Sequence, residues 1–161
     1  MRIIIVGAGD IGFHLAHLLS NEQQDITLID NKKEVLDLAG QKLDVLTVYG
    51  DGSSFATLEE ASIRNVDLFI SATTSEKTNL VSCILAKEYG AKQTIARVNQ
   101  AEYLEEKSQN TFRKLGVDVL FSPRALAAQE IERLIEHTYF TAVFDFEDGL
   151  FSLCGLYIEQ K

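Results

Sequence analysis

Gly7, Gly9 and Gly12 stand at the spacing Gly-x-Gly-x-x-Gly, and a carboxylate, Asp30, follows them by about 20 residues. The chemistry open to this set is the gripping of a charged bridge and a sugar, not the making of bonds. Gly7 permits a tight turn, Gly9 lets the backbone approach a pyrophosphate, and Gly12 lets a helix pack close to a strand. The amides left unpaired where that helix begins, in the run Gly7-Ala8-Gly9-Asp10-Ile11-Gly12, would point at the phosphates. Asp30 would reach the adenosine ribose. A ribose 2′-phosphate beside it would meet like charge, so NAD or an adenine nucleotide is expected over NADP. Asp10 places a second carboxylate inside the loop, which disfavours a third phosphate and points to NAD(H) or a diphosphate over ATP.

Such a motif informs only between a strand and a helix. Ile3-Ile4-Ile5-Val6 is β-branched throughout and runs straight into Gly7, as a strand buried on both faces does. Phe13, Leu15, Ala16, Leu18 and Leu19 then recur at helical spacing, and Ile26-Thr27-Leu28-Ile29 ends at Asp30 as a second strand. Asn31 to Ala39 reads as a helix stopped by Gly40. Strands follow at Val45–Tyr49, Asp67–Ser71, Thr94–Val98 and Val117–Phe121, with helical segments through Leu58–Ala61, Glu76–Tyr89, Tyr103–Leu115 and from Pro123 onward. Six alternations of this kind predict a Rossmann-like, doubly wound parallel sheet of six strands in the order 3-2-1-4-5-6 with helices on both faces. Near Tyr139 the pattern changes. Tyr139 to Phe146 and Leu150 to Ile158, separated by the turn Glu147-Asp148-Gly149, read as a short C-terminal β segment without room for its own core. The expected division is residues 1–138 and 139–161, the second being the start of a further domain, poorly packed or paired with another chain.

Other candidates follow from position. Gly50-Asp51-Gly52-Ser53 closes strand three on the adenosine side, where Asp51 could accept from the adenine amino group or simply shape a turn. Ala72-Thr73-Thr74, after strand four, could offer amides or hydroxyls to phosphate or ribose, or cap a helix. Arg97 ends strand five in an apolar segment and needs a phosphate, a neighbouring subunit or an internal carboxylate as partner. His14 and His17 share a helix face but lack a third ligand, and His137 lies apart, so surface or core roles are expected over metal. Tyr103 and Lys107 form Tyr-x-x-x-Lys, the spacing of an acid/base pair in short-chain dehydrogenases, yet the glycine spacing and chain length differ, so a polar helix face is the better account.

Composition narrows the classes further. The net charge of −9 disfavours nucleic acid and anionic membrane as partners. No apolar run approaches a membrane span, and no signal peptide precedes the glycine turn, so a cytoplasmic location without direct membrane insertion is expected. Cys83 and Cys154 lie far apart, outside zinc or disulfide spacing, with Cys83 in an apolar helix pattern.

Together these pieces resemble the nucleotide-binding module of the KTN/RCK family, the N-terminal part of TrkA-type potassium-uptake regulators. The likeness runs from Met1 to about His137. It rests on Ile3–Gly9 with Gly12, Asp25–Asp30, Tyr49-Gly50-Asp51-Gly52-Ser53, Ala72-Thr73-Thr74-Ser75-Glu76-Lys77-Thr78-Asn79, Ala96-Arg97-Val98 and Leu120-Phe121-Ser122-Pro123. Phe144 to Ile158 is similar to the opening strands of the ligand-binding domain that follows in such regulators. The resemblance implies a regulator without catalytic residues that binds NAD(H) or, alternatively, ATP, ADP or AMP. It implies dimers, often rings, set against a membrane potassium channel or transporter. It puts phosphates on Gly7, Ala8, Gly9, Asp10, Ile11 and Gly12, ribose on Asp30 with Asn31 and Lys32 beside it, and adenine near Asp51 and Gly52. Phosphate or partner-subunit contacts fall on Thr73, Asn79 and Arg97, flanked by Ala72 and Thr74. Asp10 departs from members carrying arginine there to reach a terminal phosphate. The leading expectation is gating through ligand-dependent dimer geometry. Alternatives are a small NAD-dependent oxidoreductase and a redox or nucleotide sensor for another partner.

Overall fold

In the computed structural model, residues 1–136, 142–146 and 151–155 are described. The elements run β1 (Arg2–Val6), α1 (Asp10–Ser20), β2 (Asp25–Asp30), α2 (Lys33–Lys42), β3 (Leu46–Tyr49), α3 (Phe55–Glu60), β4 (Leu68–Ser71), α4 (Glu76–Glu88) and β5 (Gln93–Arg97). A 3₁₀ turn (Ala101–Leu104), α5 (Glu106–Lys114), β6 (Val119–Phe121), α6 (Pro123–Glu136), β7 (Ala142–Phe146) and β8 (Phe151–Gly155) follow. The chain divides into two compact units, Met1–Pro123 and Arg124–Lys161.

The first unit holds a six-stranded, wholly parallel sheet in the order β3-β2-β1-β4-β5-β6. It is the expected doubly wound, Rossmann-like arrangement, and β1 shows why the sequence dictates it. Alternate side chains of a strand point to opposite faces, and a strand apolar at every position needs cover on both. Ile3 and Ile5 pack with Ala16 of α1 and with Leu36 and Ala39 of α2. Ile4 and Val6 pack on the other face with Leu58 of α3 and with Leu80, Cys83 and Ala86 of α4. β3 is one border of the sheet, with Leu46 72% and Tyr49 63% exposed.

At the far side of the sheet the Asp118 carboxylate accepts from Lys87 Nζ at 2.7 Å and from Thr94 N at 2.9 Å, tying α4, β5 and the approach to β6. Burial pushes this carboxyl up, but the bonds from Lys87 and Thr94 outweigh it and hold it below the ordinary carboxylate range.

Two expected helices differ from the structure. The helix expected over Asn31–Ala39 starts at Lys33 because Asp30 Oδ1 accepts from Lys32 N at 2.8 Å, a side-chain turn that keeps Lys32 extended. It also runs through Gly40 to Lys42 and ends where Leu43 turns extended, so Gly40 is no stop. The segment expected as one helix over Tyr103–Leu115 is broken at Glu105, whose ψ of 143° is extended. Tyr103 and Lys107 therefore share no helix face, and Tyr103 packs edge-on against Phe112 with ring centroids 5.2 Å apart. α4 does end as expected, Gly90 taking φ +96° beyond its last turn.

In the second unit, β7 and β8 pair antiparallel from Ala142↔Gly155 to Phe146↔Phe151. The expected turn at Glu147-Asp148-Gly149, the flanks at Tyr139–Thr141, Leu150 and beyond Gly155, and His137 lie outside the described residues. Among the described residues, no helix is long and apolar enough to cross a membrane.

Candidate functional site

All strands of a parallel sheet point the same way, so their C-terminal ends and the loops that follow gather on one side. There a cleft of about 480 Å³ opens along the ends of β1, β2, β3, β4 and β5. Thirteen of the residues expected to bind line it: Gly7, Gly9, Asp10, Ile11, Asp30, Asn31, Lys32, Asp51, Gly52, Ala72, Thr73, Thr74 and Arg97.

The glycine loop forms its floor. Gly7 takes φ +97°, and its amide donates to Ile29 O at 2.7 Å, which turns the chain sharply off β1. Gly9 is the N-cap of α1 and brings no side chain to cap it. A Cβ on Gly9 would meet no heavy atom within 4 Å, so the space in front of this backbone is open. The first-turn amides of α1 thus face the cleft without a side-chain acceptor, the arrangement that favours an anion.

Asp30 stands beside them. Its Oδ2 accepts from Ala8 N at 2.7 Å and its Oδ1 from Lys32 N at 2.8 Å, so the carboxylate fixes the glycine loop to β2. Each oxygen keeps a further lone pair for a hydroxyl. On the same side, Asp51 Oδ1 accepts from Ser53 N at 2.8 Å and Ser53 Oγ at 2.7 Å. Those two bonds hold its carboxyl below the usual range and close the turn. A Cβ on Gly52 would collide with Val6, so the absence of a side chain there lets this turn lie against β1.

Across the cleft stands Arg97. Its Nη1 lies 3.5 Å from Ala72 O, and among the described residues its buried Nε has no hydrogen-bond partner and no ion pair includes it. The internal salt bridge left open as an alternative is therefore absent among the described residues.

Three expected contacts stand behind the wall of the cleft instead of on it. Ala8 is buried, its amide already taken by Asp30. Gly12 packs under the loop, where a Cβ would strike the Gly7 carbonyl oxygen. Asn79 is fully buried, and its side-chain amide is spent on Ser71, Thr73 and Arg97. Thr73 is also less available than expected, since its amide and hydroxyl both donate to Asn79 Oδ1, at 2.9 and 2.6 Å. Helix α4 is capped by Ser75, whose Oγ accepts from Thr78 N at 3.3 Å, leaving Thr74 exposed. Sequence reasoning passed over Val6, Ile29 and Val35, which supply apolar lining. The signal available was position: Val6 ends β1, Ile29 is the last residue but one of β2, and Val35 lies on α2, the helix opened by the Asp30 turn.

The TrkA-N domain family model matches residues 3–123. A Trk system potassium uptake protein TrkA homolog of Methanothermobacter thermautotrophicus is 41% identical over 135 residues, 84% of this chain and 60% of that protein. The Trk system potassium uptake protein TrkA of Halomonas elongata is 36% identical over 157 residues, 97% of this chain and 34% of its own length. The chain thus spans between a third and three-fifths of these relatives. Among solved structures, the TrkA-N domain of the inner membrane protein ybaL from Escherichia coli superposes with a TM-score of 0.72 at 15% identity, over 83% of this chain and 96% of that one. The GsuK channel bound to NAD superposes with a TM-score of 0.67 at 25% identity, over 85% of this chain and 23% of that one. GsuK bound to ADP gives 0.66 at the same identity, over 85% and 34%.

Proposed function

The chain belongs to the TrkA-N domain family, and from that premise we propose that it is the nucleotide-binding part of a regulatory subunit of a potassium uptake system. NAD(H) is the preferred ligand and adenine nucleotides such as ADP the alternative. The ligand lies along the cleft with its phosphates at the Gly7–Gly12 loop, its ribose on Asp30 and its adenine near Asp51. Arg97 faces a phosphate. The protein acts by binding and not by catalysis, on the cytoplasmic side of a membrane potassium channel or transporter. Residues 1–138 form the nucleotide-binding domain and 139–161 the start of a second, ligand-binding domain. Homodimers, and rings built from them, carry the change in geometry to the membrane partner.

The observation that supports this reading best is the joint placement, around one open cleft, of a helix start with no side-chain cap, the Asp30 carboxylate and a guanidinium with no carboxylate partner among the described residues. The GsuK neighbours bound to NAD and to ADP agree with it. Assembly is supported by α6, where Leu126, Ile131, Leu134 and Ile135 are each more than half exposed, a stripe that a second copy would cover. A nucleotide shifts such an assembly only through unequal affinity for its two arrangements.

Titration calorimetry on the purified chain with NAD⁺, NADH, ADP and NADP tests the reading. NAD(H) or ADP binds, and NADP binds at least about tenfold more weakly because its 2′-phosphate meets Asp30. Silence toward all four ligands would overturn it.

A further inference from the structure

We infer that Asn79, which no ligand can reach, is the positioning residue that sets where Arg97 stands across the phosphate side of the cleft. This rests on the nucleotide reading above and deepens it.

β4 and β5 are in register from Leu68↔Gln93 to Ser71↔Ala96, and the ladder between them ends there. Thr73 and Arg97, the residues that line the cleft just beyond, have no sheet bond to each other. Asn79, in the first turn of α4, supplies the missing rung. Its Nδ2 donates to Arg97 O at 2.8 Å and to Thr73 O at 3.1 Å. Its Oδ1 accepts from Thr73 N at 2.9 Å, Thr73 Oγ1 at 2.6 Å and Ser71 Oγ at 3.1 Å. A side-chain amide has the donor and acceptor set of a peptide group, and this one stands in for a peptide between two strands that have parted.

A second clasp lies one turn away on the same helix face. Glu76 Oε2 accepts from Asn99 N at 2.9 Å and Gln100 N at 3.2 Å, and Oε1 from Gln100 Nε2 at 2.6 Å. Asn79 and Glu76 thus hold the main chain immediately at and just after Arg97. Among the described residues the guanidinium itself is anchored by almost nothing: Nη1 has one bond at the 3.5 Å limit and Nε has none. Its place over the cleft is therefore inherited from its main chain, which the β6 ladder holds on one side at Phe121 and which, on the side where β4 has parted, the Asn79 amide grips by its carbonyl.

The test is a double-mutant cycle on the full chain, read by calorimetry with ADP and, as a phosphate-free reference, adenosine. Asn79→Ala lowers ADP affinity about tenfold while adenosine affinity changes less than about twofold. In an Arg97→Gln background, Asn79→Ala has no further effect on ADP. Should Asn79→Ala fail to fold, Glu76→Ala, at the protein surface, enters the same cycle with a loss of about threefold. Parallel losses of ADP and adenosine, or an undiminished Asn79 effect without Arg97, would reduce Asn79 to a core-packing role and overturn the inference. Should the unmodified chain bind NAD(H) but not ADP, the cycle is run with NAD⁺ in place of ADP; silence toward both would overturn the nucleotide reading itself, and this inference with it.

Discussion

Gly7 and Gly9 sit two residues apart in one loop, yet their replacement by alanine has opposite consequences. At Gly7 the backbone is left-handed, φ +97°, which costs an L residue about 1–2 kcal/mol. The new Cβ also lies 3.0 Å from Thr73 N and 3.1 Å from both Thr73 Cα and Cγ2. Thr73 cannot retreat freely, because its amide is bound at 2.9 Å to the buried Asn79. Crowding of this kind adds about 1 kcal/mol or more, and the narrower unfolded ensemble of alanine returns about 0.4–1 kcal/mol. Gly7→Ala therefore destabilises the domain by about 2 kcal/mol in equilibrium denaturant unfolding. Gly9 has φ −69° and open space in front of it. Gly9→Ala changes stability by less than about 1 kcal/mol, the weaker cap and the stiffer unfolded chain nearly cancelling. Its methyl group nevertheless occupies the space a phosphate needs, so nucleotide affinity falls at least about tenfold in calorimetry. Equal destabilisation by the two variants, or unimpaired binding by Gly9→Ala, would refute the division of labour between the two glycines.

Asp118→Asn destabilises the fold at pH 7 by about 1–2 kcal/mol through loss of its charge-assisted bonds. Since the folded carboxyl titrates below its unfolded value, that contribution is present above about pH 4 and disappears as pH falls further, so the gap to the unmodified protein in denaturant midpoints must close in acid; a gap independent of pH would contradict it. Cys83 is fully buried, and burial pushes its thiol up, so the Cys83 peptide stays unlabelled by a thiol alkylating agent in the native protein and is labelled in denaturant, as followed by mass spectrometry.

Much of this was legible in the chain itself, for a physical reason. Ile3–Val6 is apolar at every position, and only a strand covered on both faces suits such a run; the glycines and Asp30 then fall where a doubly wound sheet opens its crevice. What was not legible is the direction of polar groups that choose between neighbours. Asn79 reads, through the family resemblance, as a phosphate or partner-subunit contact, and nothing local indicates that its amide turns inward to replace a sheet rung. Asp30 reads as a ribose ligand, but that its oxygens also hold Ala8 and Lys32 depends on two loops meeting in space, and this second task is what delays α2. Gly40 reads as a stop signal; a helix passes through glycine at a cost of about 1 kcal/mol when its neighbours Leu36 and Ala39 are buried against the sheet. The break at Glu105 likewise separates two segments that the periodicity alone joins into one, and across it Tyr103 meets Phe112.

The border strand Leu46-Thr47-Val48-Tyr49 is uncharged and carries two large solvent-facing side chains, and no strand among the described residues pairs with its outer side. Only its brevity, four residues, restrains it from recruiting a stray strand. Engineering that extends this run with further β-branched residues would turn a harmless margin into an adhesive one, whereas a lysine at the outward Thr47 would blunt it.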